Sequence, residues 1–494
     1  MLKKILYSIH KILGTMLCIL FLVWFLSGFV MIYHTFPKVS NLDKYKYMDI
    51  VGDKKSLQSA DSIYSKLSTK GMIMRFSLKS IAGKPYFESL TMDGITRLSA
   101  DTALINEEIS SPSFPEIKEY AQRWNEAQII RTDTLRELEQ WIPFGYLKKD
   151  FPIYKFYFGD TDKHQLYVSS VTGDVLQFTD KDQRFWSWLG PIPHWVYFTS
   201  LRQNSELWSN LLIILSGMGC IMCITGIILG IRSYVKQYRR KKKWATPYRK
   251  FSYKWHHILG FVFGVFVFTF VFSGMMSLAD LPQWMVKVHN PAIQQSMYLP
   301  QPINIANYKL NYIKLLEAYP NQVKSIEWSN FGQLPLYKVV VKDRLLTIDA
   351  SSDTVKTLSL NEQSIRNRLS LTHTEPIEIS VINEYDNYYV GLTDHLPLPV
   401  YKAEVADADN STYYINPKNG NTRYFNNNLK AHRWTYQALH SYKIGFLAKH
   451  PVLWNIVMWT TMIGGTLVSV TGVWLGFKYL KRRIRKVKKT CSSK

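Results

Sequence analysis

Four stretches of the chain, 12–33, 207–231, 258–279 and 451–477, carry no Asp, Glu, Lys or Arg and are dominated by Leu, Ile, Val, Phe, Met and Gly. A helix of about 20 apolar residues crosses a hydrocarbon core about 30 Å thick, so the pattern predicts four membrane-spanning helices. Buried helices of soluble proteins seldom run this long without a charge. The two long segments between spans one and two and between spans three and four have a different rhythm. Short alternating runs at 154–158 and 165–169, followed by Thr172-Gly173-Asp174, predict a hairpin with a glycine turn; 400–405, 412–415 and Lys418-Asn419-Gly420 predict another. Earlier in each segment a helix precedes a hairpin: 57–67 before 75–78, 86–90 and the turn Asp93-Gly94, and 310–318 before 324–328, 337–341 and 344–349. The expectation is α+β modules, two per half, with helices packed on antiparallel sheets.

Charge then orients the spans. The 494 residues carry 61 Lys and Arg against 37 Asp and Glu, a net +24. Of that excess, 22 charges lie in the 53 residues of 1–11, 231–255 and 478–494, which contain no acid. The rest of the chain is close to neutral, so the charge marks topology under the positive-inside rule and not a nucleic-acid surface. The expected layout is a cytoplasmic N-terminus with the first span (1–34), an extracytoplasmic domain (35–206), the second span (207–231), a basic cytoplasmic loop (232–257), the third span (258–279), a second outer domain (280–450), the fourth span (451–477) and a basic cytoplasmic tail (478–494). Residues 12–33 are read as a span rather than a cleaved signal, being too long for a typical signal core and lacking a small-residue cleavage pattern. An apolar content of 47% excludes a disordered chain. Of four cysteines, Cys18, Cys220 and Cys223 fall in spans and Cys491 in the tail, so no disulfide framework is expected.

The halves repeat. His10 and His256, Gly14 and Gly260, Ser27-Gly28 and Ser273-Gly274, Trp188 and Trp434, His194 and His440, Thr225-Gly226 and Thr471-Gly472 all stand 246 positions apart. The fold class expected is therefore a membrane protein of four transmembrane helices, built as a duplicated two-span unit about a pseudo-two-fold axis along the membrane normal.

The spans opening with His-x-x-x-Gly, the Trp-rich run ending in His194 or His440, and the Thr-Gly pairs resemble the PepSY-associated transmembrane family, and the outer modules look like PepSY domains. The likeness covers essentially the whole chain. It departs from the family pattern where His10-Lys11 and His256-His257 stand in place of His-Arg. The resemblance implies a bacterial inner-membrane protein, in some members a siderophore reductase carrying b-type haem.

Ionisable residues near membrane depth are functional candidates. His10 and His256 open spans one and three at matched depth on the basic side; His194 and His440 precede spans two and four on the other. Two pairs at two depths suit two bis-His haems, with Gly14 and Gly260 allowing close approach of the macrocycle. Placement near the lipid headgroups is the bland alternative for His10 and His256, an aromatic belt at the surface that for His194 and His440, and helix packing that for the glycines. His34, His257 and His289 are substitute ligands; His164, His373, His395, His432 and His450 read as outer-surface residues. No Cys-x-x-Cys-His occurs, which excludes covalent attachment. The expected partners are membrane lipid, a separate cytoplasmic electron donor and a ferric siderophore reduced outside the membrane, with no nucleic acid. The alternative is a non-enzymatic, membrane-anchored binding protein for a peptide, protease or chelate. A permease is disfavoured because no span carries a charge or an internal proline.

Overall fold

A computed structural model describes residues 1–52, 57–69, 71–81, 83–105, 107–109, 111–297, 302–392 and 396–492. Four helices are long and apolar enough to cross a membrane: Leu2–Met31, Ser205–Lys241, Phe251–Met276 and Pro451–Ser492. In the most apolar window of each, only 22–33% of residues are buried, so most of that apolar surface faces lipid. The protein is a membrane protein. The first helix packs against the second and fourth, and the third also packs against the second and fourth, which sets the first and third at opposite corners of the bundle. Leu17, Phe21, Phe25, Val267, Val271 and Met458 meet in its interior, with Cys220 and Cys223 packed there as small apolar side chains. Glycine is required where rings enter the neighbouring helix: a Cβ at Gly464 would overlap Phe263, and one at Gly465 would overlap Phe25.

The basic stretches differ from the loop and tail that the sequence suggests. The second helix runs through 232–241, ending at left-handed Lys242 (φ 51°), and the fourth runs on to Ser492. Lys and Arg are good helix formers, the stretches lack Gly and Pro, and cations at a helix C-terminus complement its dipole. The third helix starts at Phe251, so His256 and His257 lie within it.

The other face carries fifteen strands among the described residues. In the first half these are β1 (Arg75–Ile81), β2 (Lys84–Thr91), β3 (Gly94–Ser99), β4 (Ile129–Leu135), β5 (Ile153–Phe158), β6 (Gln165–Ser169) and β7 (Val175–Thr179). In the second they are β8 (Val323–Phe331), β9 (Leu334–Val341), β10 (Arg344–Asp349), β11 (Lys356–Thr357), β12 (Ile377–Ile382), β13 (Val400–Val405), β14 (Thr412–Ile415) and β15 (Thr422–Phe425). The hairpins fall where the alternation predicts them.

The two outer domains expected from sequence are not separate bodies. β1 pairs with β8, Phe76 opposite Trp328, Ser77 opposite Glu327 and Leu78 opposite Ile326, which fuses the first strand module of each half into one antiparallel sheet ordered β11-β10-β9-β8-β1-β2-β3. Each module alone would leave an edge strand open and a small core half-covered. Joined, they bury Phe76, Phe87, Trp328 and Tyr337 in one cluster, with Phe76 and Trp328 centroids 4.7 Å apart. β4–β7 and β12–β15 form two further four-stranded sheets, one per half. Glu88 of β2 is buried beneath this assembly, receiving Lys79 at 2.7 Å, Arg97 at 3.0 Å and Arg75 at 3.2 Å. Burial pushes its carboxyl up, but the cations, Lys79 and Arg97 first, outweigh that and hold it at about 2. Arg97 also donates to the carbonyls of Val171 and Thr172 at 3.3 and 3.0 Å, tying the shared sheet to the β6–β7 turn.

Candidate functional site

Among the described residues the bundle holds two half-open cavities of about 520 Å³ each, one toward the basic face and one toward the domain face. Each contains two facing imidazoles. His10 and His256, from the opposite-corner helices, line the inner cavity with ring centroids 6.3 Å apart. His194 and His440 line the outer one with centroids 6.1 Å apart.

The outer pair is delivered by short segments that dip against the bundle. Gly190 ends one helix and Pro191 opens the turn Pro191–Trp195 that carries His194; a Cβ on Gly190 would meet Val30 at 2.8 Å. His440 follows a π-helical turn, Trp434–Ala438, a geometry frequent at functional sites. Both segments end in a left-handed residue, Val196 (φ 53°) and Tyr442 (φ 49°). For β-branched Val196 this is a strained conformation. Each segment is pinned by an indole from the next spanning helix: Trp208 Nε1 donates to the Trp195 carbonyl at 2.7 Å, and Trp454 Nε1 to that of Ser441 at 2.8 Å. These partners too are 246 residues apart.

All four rings are held through Nδ1. His194 Nδ1 lies 3.1 Å from the Trp24 carbonyl and 3.2 Å from Ser27 Oγ. His440 Nδ1 lies 3.2 Å from the Phe270 carbonyl and 3.0 Å from Ser273 Oγ. His10 Nδ1 is 3.0 Å from the Met222 carbonyl, and His256 Nδ1 is 3.0 Å from Thr471 Oγ1. A carbonyl can only accept, and the Ser27, Ser273 and Thr471 hydroxyls already donate to helix carbonyls. In the neutral imidazole Nδ1 is therefore the protonated nitrogen of each ring, which leaves the lone pair on Nε2. This is the arrangement of metal-ligating histidines, whose second nitrogen is fixed by an outer hydrogen bond.

The spacing fits one metal ion per pair. Two imidazoles sharing one metal ion at a bond length of about 2.0 Å would stand about 6 Å apart between ring centres, close to the 6.3 and 6.1 Å of the two pairs. A flat ligand is accommodated by small residues. Gly14 and Gly260, the glycines singled out from sequence, line the inner cavity, and a Cβ at Gly260 would meet nothing within 4 Å. Gly226 and Gly472 are marked in the sequence only by the repeat; with Gly28 and Gly274 they are the glycines against the imidazoles. A Cβ at Gly226 would fall 2.6 Å from His10 Cε1; at Gly472, Gly28 and Gly274 the corresponding distance to His256, His194 and His440 is 3.6 Å. Ser27, Ser273 and Thr471 were likewise visible only through the recurring offset. Phe21 lines both cavities and, buried against Gly219, separates them. Lys11 and Arg482 sit at the inner cavity and Lys443 at the outer.

The remaining histidines stand elsewhere. His34 stacks on Trp186 (centroids 4.4 Å) and lines neither cavity. His257 lines the inner cavity, stacked on Tyr234. His289 bonds Asp409, and His164 bonds Asp160. His373, expected on the surface, is buried, with Nε2 2.7 Å from the Tyr413 hydroxyl, because the hydroxyl gives it a partner inside the domain. His432 bonds the Met276 carbonyl and His450 that of Phe446. His395 lies outside the described residues, as does the side chain of Cys491.

No curated protein matches the chain. The PepSY-associated TM region family matches residues 7–307, a stretch that holds three of the four spanning helices and His10, His194 and His256. With that match over more than half its length, the chain belongs to the PepSY-associated transmembrane family.

Proposed function

We propose that the protein is a two-haem electron conduit of a bacterial inner membrane, carrying electrons from a cytoplasmic donor to a ferric chelate such as a siderophore on the domain side. The observation that carries this reading is the set of two imidazole pairs, each about 6 Å between centroids and hydrogen-bonded through Nδ1, in cavities of about 520 Å³ at two depths. A b-type haem held in each pair supplies a one-electron ferric/ferrous couple. The chain's own part is to fix the rings through Met222, Thr471, Ser27 and Ser273. Gly226 and Gly472 leave the rings room, and Lys11 and Arg482 set cations beside the inner site, where propionate groups need charge compensation. Reducing ferric iron weakens its hold on hard oxygen ligands, which frees the metal from its carrier.

The basic face is taken as cytoplasmic on the positive-inside rule, which puts both termini inside and the sheets in the periplasm. The recurrence of contacts at an offset of 246 supports descent from a duplicated two-span unit with PepSY-like outer modules. So does the antiparallel pairing of β1 with β8, each the first strand of its half.

The test is an absorption spectrum of the purified, haem-supplemented protein, oxidised and dithionite-reduced. A Soret band with sharp α and β bands on reduction is expected. A chain that takes up no haem overturns the reading and leaves the membrane-anchored binding protein in its place.

A further inference from the structure

The basic segments do more than mark topology. Beyond the apolar run ending at Ile231 the second helix continues for ten residues, and beyond Phe477 the fourth continues for fifteen. At 1.5 Å per residue these rods project about 15 and 22 Å, whereas the headgroup layer on one side is about 5–7 Å thick. Orientation and lipid contact need charge only near the ends of the spans. Here exposed Arg239, Arg240 and Lys241 stand at the far end of one rod and exposed Arg483 and Arg485 on the other, with no acid in 231–255 or 478–494.

The same face holds the mouth of the inner cavity. Its rim is made of Tyr7, Tyr248, Tyr253 and Tyr479 with Lys11 and Arg482. Tyr7 and Tyr248 share a hydrogen bond of 2.8 Å, Lys11 lies 5.1 Å from the centre of the Tyr479 ring, and Arg482 reaches the Tyr253 hydroxyl at 3.4 Å. Tyrosine and arginine are the side chains enriched at protein contacts, and a ring of cations around a redox cavity steers an oppositely charged protein toward it.

We propose that the basic face is the docking surface for an acidic one-electron carrier protein, which delivers its electron at the mouth of the His10–His256 cavity. The proposal rests on the haem reading for its chemistry. The carrier's reduced flavin or iron–sulfur centre loses one electron, the ferric ion held by the two imidazoles gains it, and no bond or proton is exchanged.

The test uses the full-length, haem-loaded protein in neutral phosphatidylcholine nanodiscs, with a reduced acidic flavodoxin as probe. The rate of haem reduction, followed by stopped flow, should fall about tenfold or more between low and high salt. The variant R239E/R240E/K241E should lose about tenfold at low salt, while dithionite, which needs no docking, reduces it as fast as the wild type. Calorimetry of oxidised flavodoxin against haem-free discs reads docking separately from haem chemistry, so a chain that holds no haem still gives a result. Salt-dependent binding there supports the surface, and no binding overturns it. Salt-independent reduction overturns it. So does a variant that reduces at the wild-type rate and differs only in its preference for phosphatidylglycerol over phosphatidylcholine vesicles, because the charges would then serve lipid.

Discussion

Gly226 and Gly472 occupy matched positions, yet they differ in how close a side chain would come to an imidazole. At Gly226 a methyl group would sit 2.6 Å from His10 Cε1, nearer than real contacts allow; at Gly472 the gap to His256 is an ordinary 3.6 Å. The His10 ring is held by the Met222 carbonyl, so it cannot yield without losing that bond. On the proposed two-haem reading, Gly226→Ala should therefore lose one haem of two, while Gly472→Ala keeps both, read as haem per chain by a pyridine haemochrome assay. Thr471→Val keeps the shape and removes the hydroxyl that orients His256. Loss of such an outer partner typically costs about 10–100-fold in ligand affinity, so haem titration of the apoprotein should show one site weakened within that range and the other unchanged. Equal effects at both sites, or none, would count against the assigned pairs.

At the scale of elements, the outer histidines depend on segments that no spanning helix contains. The turn carrying His194 ends in strained Val196 and is held by the Trp208 indole. Trp208→Phe keeps an aromatic ring but leaves the half-buried Trp195 carbonyl without this donor. The expected outcome is weaker haem retention and a shifted reduction potential at the outer site, with the inner site as in the wild type; a potentiometric titration resolving two couples checks it. Trp454→Phe should act likewise through Ser441 and His440. The alternation of residues placed the hairpins correctly, because a strand's facing is a local property. It could not foresee that β1 pairs with β8, since nothing local links residues some 250 positions apart; only the shared core of Phe76, Trp328 and Phe87 does.

For the whole molecule, the shared sheet makes the two halves one body on the domain side, and Glu88 is a charged knot within it. Its folded carboxyl is held at about 2 against an ordinary 4.5. A depressed carboxyl contributes stability in full above pH 4.5 and loses it as the pH falls toward 2, a contribution on the order of 3 kcal/mol. The thermal stability of the intact protein should accordingly fall from pH 4.5 downward. Glu88→Gln should be less stable at neutral pH and show a flatter acid limb; an acid limb as steep as the wild type's would assign the pH dependence to other groups.

By themselves, the residues determined the membrane-spanning helices, the side on which the charge gathers, and the four histidines with their common offset. Each of these is written in composition or spacing, and burial in lipid or repetition along the chain enforces it without reference to neighbours. Tertiary structure decided which histidines face each other, which nitrogen of each is free, and which glycines touch the rings, because those depend on how the first and third helices sit across the bundle from one another. It also decided that the outer modules join through β1 and β8, because an edge strand has no preference for a partner until a second edge and a half-covered apolar face are brought beside it.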